Sequence, residues 1–416
     1  MTLPVTAPAP GSAPGRWRLH RLVAGDLDDF AGSAWGRAPV LSRAGQLPSG
    51  FDDLLDAEAV DELVSRRGLR TPFLRVAKNG STLPERAYTA GGGIGAGVSD
   101  QVSDDKLVAL FADGATMVLQ GLHRVWPPLI DFAGDLAAEL AHPVQVNAYV
   151  TPPQSRGFDD HYDVHDVFVL QVEGHKRWRI HAPVHRLPLR DQPWTERREA
   201  VREAAAPGGP GPLLDVVLEP GDCLYLPRGF LHAAEALGEV STHLTVGVHP
   251  WTRHTLAEQL VAEALAALGD DPEVRASLPL GVRVDDPSGL STDVERVRRR
   301  LVESLDAIST GDVTTRMAAT ARRARRASPV GPLAQLRASQ RLRDDDRLRL
   351  RSHLAAEVVD GDPPVLRSRA GDTPVDPASL DTVGLLLAGE ALPVSRIGHE
   401  LASRLLAAAV LVADPT

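Results

Sequence analysis

The sequence predicts an α+β protein, with an antiparallel β-sandwich or barrel in mid-chain and helices before and after it. Three observations carry this reading. Between residues 144 and 248, short apolar runs alternate with turn residues at the spacing of an all-β unit. On either side, apolar residues recur at helical spacing behind helix-start residues such as Asp104, Asp105 and the Pro127–Pro128 pair. Finally, 416 residues exceed what one ordinary core supports, so two or three domains are expected.

Taken in order, residues 1–16 are rich in Pro, Ala and Gly and lack a basic start followed by an apolar run. They read as a disordered tail, not a secretory signal. From 17 to about 100 the pattern is mixed, with one short strand expected at Phe73–Val76. The glycine-rich stretch Gly91–Gly97 makes no GxGxxG in any register and precedes no Lys-Ser/Thr, so a loop is expected there and not a nucleotide site. A helix should run from Asp104 through Phe111 and end at Gly114, followed by a strand at 116–119 and a helix from Pro127 to about Ala141. Strands are expected at Val144–Val150, Val167–Val172, Lys176–Ile180, Val216–Leu218, Cys223–Leu226 and Thr242–Val248. Beyond Trp251, helices are expected at Leu256–Leu268, Val294–Ile308 and Thr315–Ala327. From about Ala334, further helices flank an extended piece at Val365–Ser368.

Composition narrows the class. Hydrophobic residues make up 43% and charged residues 24%, which is ordinary for a globular chain and not for a disordered one. Cys223 is the single cysteine, which excludes an intrachain disulfide and a cysteine-based zinc site, and a reducing, cytoplasmic setting fits best. The longest apolar stretch, near Leu405–Val412, is too short to span a bilayer. A net charge of -10 argues against nucleic-acid binding over the whole surface. Arg316 and the run Arg322–Arg326 could contact nucleic acid locally, although a solvated or interfacial helix face is the plainer reading.

Two motifs carry chemistry. In His161-Tyr162-Asp163, residues two apart on an extended strand point the same way, so an imidazole and a carboxylate are presented together. The stretch Gly221–His232 follows the spacing G-x5-P-x-G-x2-H and resembles the second signature motif of the cupin superfamily. That motif continues to an Asn where this chain has Ala236. Together the motifs offer His161, Asp163 and His232, the two-histidine, one-carboxylate facial set that suits non-haem Fe(II) and leaves coordination positions open. His243, in the nearby strand Ser241–Thr245, is a rival third ligand, and His165 beside Asp166 rivals His161. Turn spacing favours His232, and the His-x-Asp spacing favours His161.

With Asn147–Tyr149, Phe168–Gly174, Lys176–Trp178, Pro227–His232 and His243–Thr245 added, about a quarter of the chain resembles the JmjC-type ribosomal oxygenases, a branch of the cupin 2-oxoglutarate enzymes. The resemblance implies a double-stranded β-helix (cupin, or jelly-roll) catalytic domain over 17–253, a helical dimerisation region over 254–333 and a small winged-helix-like domain over 334–416. It implies Fe(II) as cofactor and 2-oxoglutarate as co-substrate, with Lys176 pairing the distal carboxylate. A dicarboxylate needs a buried cation, and a lysine supplies a charge-assisted hydrogen bond. Asn147 and Tyr149 would stand beside 2-oxoglutarate, and Thr245 would line the pocket. Many relatives have a serine where this chain has Gly247, so a hydrogen bond to the co-substrate would be missing or taken by water.

The implied activity is hydroxylation of a protein side chain, such as one of a ribosomal protein, with release of succinate and CO2, by a homodimeric, membrane-free enzyme. Two other readings remain open at this point. One is a tailoring hydroxylase of a peptide or small-molecule natural product. The other is a non-catalytic cupin that acts as a regulator or binding protein.

Overall fold

The computed structural model describes residues 17–78, 80–153, 155 and 158–414; the tail expected at 1–16 lies outside them. The chain divides into two compact units, one drawn from Met1–Pro250, Ala327–Leu354 and Val375–Thr416, the other from Trp251–Arg326 and Ala355–Pro374.

The first unit contains the strands β1 (Val40–Ser42), β2 (Leu74–Lys78), β3 (Ser81–Thr82), β4 (Thr116–Leu119), β5 (Val144–Thr151), β6 (Asp166–Glu173), β7 (Lys176–His181), β8 (Leu214–Leu218), β9 (Cys223–Leu226), β10 (Leu231–Ala236) and β11 (Ser241–Val248). Eight of them form one antiparallel sheet in the order β1-β9-β6-β11-β5-β4-β2-β3. The other three form a second sheet, β8-β7-β10.

The two-residue period of a strand assigns the faces. On β5, Val146, Ala148 and Val150 join a core with Leu129, Phe132 and Leu136 of the helix Pro127–Glu139. On the opposite face of the large sheet, Val167, Val169, Leu224 and Leu226 meet Trp178, Ile180 and Leu218 of the small sheet. The centre of the large sheet is thus covered on both sides. That is why β6 and β9 read as nearly continuous apolar runs, while β11 is buried along its whole length although its apolar residues alternate.

Residues 17–100 hold more structure than the single strand expected. Besides β1–β3 they form a helix at Ala57–Arg66, capped by Asp56, whose carboxylate accepts from the Ala59 N–H at 2.7 Å. Its buried stripe is Ala59, Val60 and Leu63. The next helix, Asp104–Ala112, starts at Ser103, whose hydroxyl caps it.

In the second unit, the helices Arg253–Leu268, Pro287–Ala307 and Thr310–Ala324 accompany a three-stranded sheet of Glu357–Val359, Val365–Ser368 and Gly371–Pro374. The sheet is tied to the last helix: Arg322 pairs with Glu357 at 2.7 Å, and Arg369 donates to the Ala321 and Arg322 carbonyls. This differs from a continuous C-terminal domain over 334–416, because those contacts group 355–374 with the helices before it. Within the first unit, Arg347–Leu350 lies between Leu392–Pro393 and Leu411–Ala413, accompanied by the helices Pro332–Gln340, Leu380–Leu387 and His399–Ala407. Among the described residues no helix is long and apolar enough to cross a membrane.

Candidate active site

The site is assembled by a turn and a strand bridge. The turn Pro227–Phe230 joins β9 to β10. Gly229 sits there at φ +91°, and a Cβ would lie 2.6 Å from the His185 carbonyl oxygen, so only glycine fits. The fully buried Asp166 latches the turn by accepting from the Arg228 N–H and the Tyr225 hydroxyl, each at 3.0 Å. The Gly229 N–H donates to the Asp163 carbonyl at 3.0 Å, tying the turn to the His-x-Asp segment.

The turn sets His232 opposite His161. The His232 N–H donates to the His161 carbonyl at 2.8 Å, and the His161 N–H returns to the His232 carbonyl at 3.2 Å. The two rings lie 4.4 Å apart between centroids. Asp163, two residues past His161, completes a cluster whose donor atoms all lie within 4.8 Å of one another. His232 Nε2 is 3.8 Å from Asp163 Oδ2.

Both imidazoles are oriented from behind. His161 Nδ1 lies 2.8 Å from the Asp159 carbonyl and His232 Nδ1 3.1 Å from the Phe230 carbonyl. A carbonyl only accepts, so each Nδ1 carries the proton and each Nε2 is left as a free lone pair. Burial, helped by the neighbouring His161, pushes His232 down to about 4, so it is uncharged at neutral pH. Burial alone would raise Asp163, but His165, His232, His161 and Arg75 outweigh it and hold the carboxyl below its ordinary value. An ionised carboxylate beside free imidazole lone pairs is a donor set for a divalent first-row metal.

The other end of the cavity is cationic. Lys176 follows the turn at Gly174, where φ is +63° and a Cβ would run into the Val240 carbonyl. The lysine is 3% exposed. Its Nζ donates to Thr151 Oγ1 at 2.9 Å and lies 3.4 Å from His243 Nδ1. Among the described residues no carboxylate pairs with it, and burial pushes its pKa down to about 7. Burial, then the charge of Lys176, keeps His243 uncharged, and its ring stacks on Tyr149 at 4.9 Å. A buried ammonium with no counter-charge is unfavourable unless an anion comes to meet it.

One cavity is lined by His161, Asp163, His232, Lys176, Tyr149 and Thr245 together. Asn147 is not among its lining residues; its amide oxygen accepts from the Gly121 N–H at 3.0 Å. The rival ligands stand outside the metal cluster. His243 is at the Lys176 end. His165 accepts from the Gln145 amide at 3.1 Å and donates to the Asp166 carbonyl at 3.3 Å. At Gly247 a Cβ would meet Gln145 Cγ at 3.0 Å and His165 Cε1 at 3.1 Å, so that pair fills the space a serine would claim.

Sequence reasoning missed Thr151, although it shares a strand face with Asn147 and Tyr149 and the alternation alone could have found it. It also missed Phe158, which packs edge-on to Tyr149, and Arg75, whose guanidinium covers Phe158 at 5.2 Å. Neither lies in a motif.

The JmjC domain family matches residues 131–256, a stretch that holds the three clustered donors and Lys176. Residues 131–256 are therefore similar to a JmjC domain. The chain is similar to the bifunctional lysine-specific demethylase and histidyl-hydroxylase NO66 of Aedes aegypti, 28% identical over 276 residues, which cover 64% of this chain and 40% of that protein. It is similar to ribosomal oxygenase 1 of Homo sapiens, 41% identical over 138 residues, covering 32% of this chain and 20% of that protein. It thus spans two fifths or less of the length of these relatives. Among solved structures, the ribosomal oxygenase YcfD from Escherichia coli in complex with cobalt and 2-oxoglutarate shares the fold, with a TM-score of 0.53 at 16% identity, covering 95% of this chain and 99% of that one. Seven strands of the two facing antiparallel sheets, β5 to β11, fall within the stretch that matches the JmjC domain.

Proposed function

We propose that this chain is an Fe(II)- and 2-oxoglutarate-dependent hydroxylase of a protein side chain, with His161, Asp163 and His232 as metal ligands and Lys176 as the anchor of the co-substrate. The observation that carries it is the pairing within one cavity of a three-donor cluster and a buried, unpaired ammonium. Such a cavity suits a metal at one end and a dicarboxylate reaching to the other. The similar proteins, which include a ribosomal oxygenase, a histidyl-hydroxylase and a ribosomal oxygenase in complex with cobalt and 2-oxoglutarate, support the same reading.

When bound, the ferrous centre supplies oxidative decarboxylation of 2-oxoglutarate coupled to hydroxylation, so that a C–H bond, O2 and 2-oxoglutarate become C–OH, succinate and CO2. The chain's own residues do the rest. Lys176 charge-pairs with the distal carboxylate, and Thr151 fixes the direction of its Nζ. His243, uncharged, adds no competing cation. Tyr149 stacks on His243 and, with Thr245, walls the co-substrate. Asn147 stays in the proposal as a residue bordering this site, acting through its strand. Val167, Val169 and Leu226 exclude water from the inner wall.

The substrate class proposed is a protein, such as a ribosomal protein. The helices Arg253–Leu268 and Pro287–Ala307 expose Leu256, Leu265, Val294 and Val302, and a second copy of the chain is the proposed partner for them. The sheet around Arg347–Leu350 with its helices is proposed as the winged-helix-like element, and a reducing compartment such as the cytoplasm as the setting.

The test is succinate release by purified protein with Fe(II), ascorbate, O2 and 2-oxoglutarate, with and without ribosomal proteins, beside His161→Ala and His232→Ala. Release that needs both histidines, with one oxygen gained by a ribosomal protein in the mass spectrum, is the expected result. Release that survives both substitutions would contradict the assignment.

A further inference from the structure

Trp178 stands two residues past Lys176 on β7, so the strand period puts both side chains on the cavity side. The next residue on that face, Ile180, pairs across to His232 on β10. Along β7, therefore, Trp178 occupies the step between the ammonium and the level of the metal ligands. Its ring centroid is 6.0 Å from that of His232 and 5.3 Å from that of His243, edge-on to the latter.

The side chain is 5% exposed, and its Nε1 is buried with no hydrogen-bond partner among the described residues. An indole N–H can only donate, and a buried donor normally finds an acceptor. The nearby inner wall of Val167, Val169, Leu226 and Ala234 offers no side-chain acceptor. A dicarboxylate lying between Lys176 and the metal ligands would carry oxygens past this position.

We propose that the Trp178 indole N–H donates to a carboxylate or keto oxygen of the bound 2-oxo acid, making Trp178 a further co-substrate-binding residue beside Lys176. This rests on the co-substrate reading above. It gives the unpartnered donor a role: the cavity discriminates for ligands with an acceptor part-way along, and a shorter or purely aliphatic anion held by Lys176 alone leaves the indole unpaired.

The experiment uses the full chain, 15N-labelled and loaded with Zn(II), which is diamagnetic and does not turn over. The chain has six tryptophans, and the Trp178 indole resonance is identified by its loss in Trp178→Phe. Titration with 2-oxoglutarate should move that resonance downfield in the unsubstituted protein, a readout that needs no variant to fold. By calorimetry, W178F should bind 2-oxoglutarate roughly tenfold or more weakly while its zinc affinity is unchanged. An indole resonance that stays put at saturation, or a W178F protein that binds 2-oxoglutarate as tightly as the parent, overturns the proposal and leaves the co-substrate reading intact. No 2-oxoglutarate binding by the parent protein overturns both.

Discussion

The two ends of the cavity are built on opposite electrostatic plans. At the metal end, an ionised Asp163 faces an uncharged His232, and the Nδ1 atoms of His161 and His232 are fixed by backbone carbonyls. At the other end, Lys176 is buried against Thr151 and His243, with no carboxylate beside it among the described residues. At the first end the carboxylate is already stabilised by its neighbours, whereas the ammonium at the other end lacks a counter-charge among the described residues and is unfavourable until an anion meets it. That contrast is what supports the proposed reading of the cavity as a binding site.

The comparison is broken most severely at the metal end. His232→Ala, His161→Ala or Asp163→Ala should each weaken binding of Mn(II), used as a redox-inert stand-in, by more than about a hundredfold. Calorimetry checks this, and three variants that bind like the parent would remove the metal from the account. Lys176→Met breaks the other end alone. It should weaken 2-oxoglutarate binding by about a hundredfold and leave Mn(II) affinity unchanged. It should also make the folded protein about 1–2 kcal/mol more stable in denaturant melts, since a lone buried charge is exchanged for an apolar chain of similar length.

pH sharpens the contrast. The Lys176 value of about 7 lies below its ordinary 10.5, and an anion beside it raises it again. The protonated form binds, so 2-oxoglutarate affinity should be full below pH 7 and weaken as pH rises through 7, by up to about tenfold per unit. Stability runs the other way. Between 7 and 10.5 the unfolded chain holds more protons at this lysine, so the ligand-free protein gains stability as pH rises across that window and loses it as pH falls through 7. Lys176→Met should flatten both profiles.

Smaller effects are expected at the two glycines. Gly229→Ala forces a Cβ against the His185 carbonyl at φ +91° and should cost about 2 kcal/mol in stability, with Mn(II) affinity reduced through His232. Gly247→Ser presses on Gln145 and His165, whose side chains can move a few tenths of an ångström. A loss of about 1 kcal/mol or less is expected.

The legibility of the sequence follows the same physics. Six of the seven strands from 144 to 248 are readable because one or both faces of each are buried, and the turn between β9 and β10 because its proline and glycine spacing leaves a fixed signature; β10 itself is missed, since Leu231–Ala236 is alanine-rich with no β-branched residue. His161, Asp163 and His232 lie within such signatures. Residues 17–100 show a mixed pattern with only one legible strand, because β1 and β3 are only three and two residues long, too short to show a period, and the Ala57–Arg66 helix carries just three buried side chains. The choice between His232 and His243 could be weighted but not closed from spacing, since both lie on cavity-facing strands. The partners of Lys176 come from β5 and β11, 25 and 67 residues away, a distance no local pattern encodes.

The most direct test of the central claim is calorimetric titration of 2-oxoglutarate into the protein with and without Mn(II), for the parent, His232→Ala and Lys176→Met. One-to-one binding that needs the metal, His232 and Lys176 together is the result expected of a cavity with a cation at one end and a dicarboxylate reaching to the other. Binding that is indifferent to the metal and to both substitutions, or no binding at all, would contradict it.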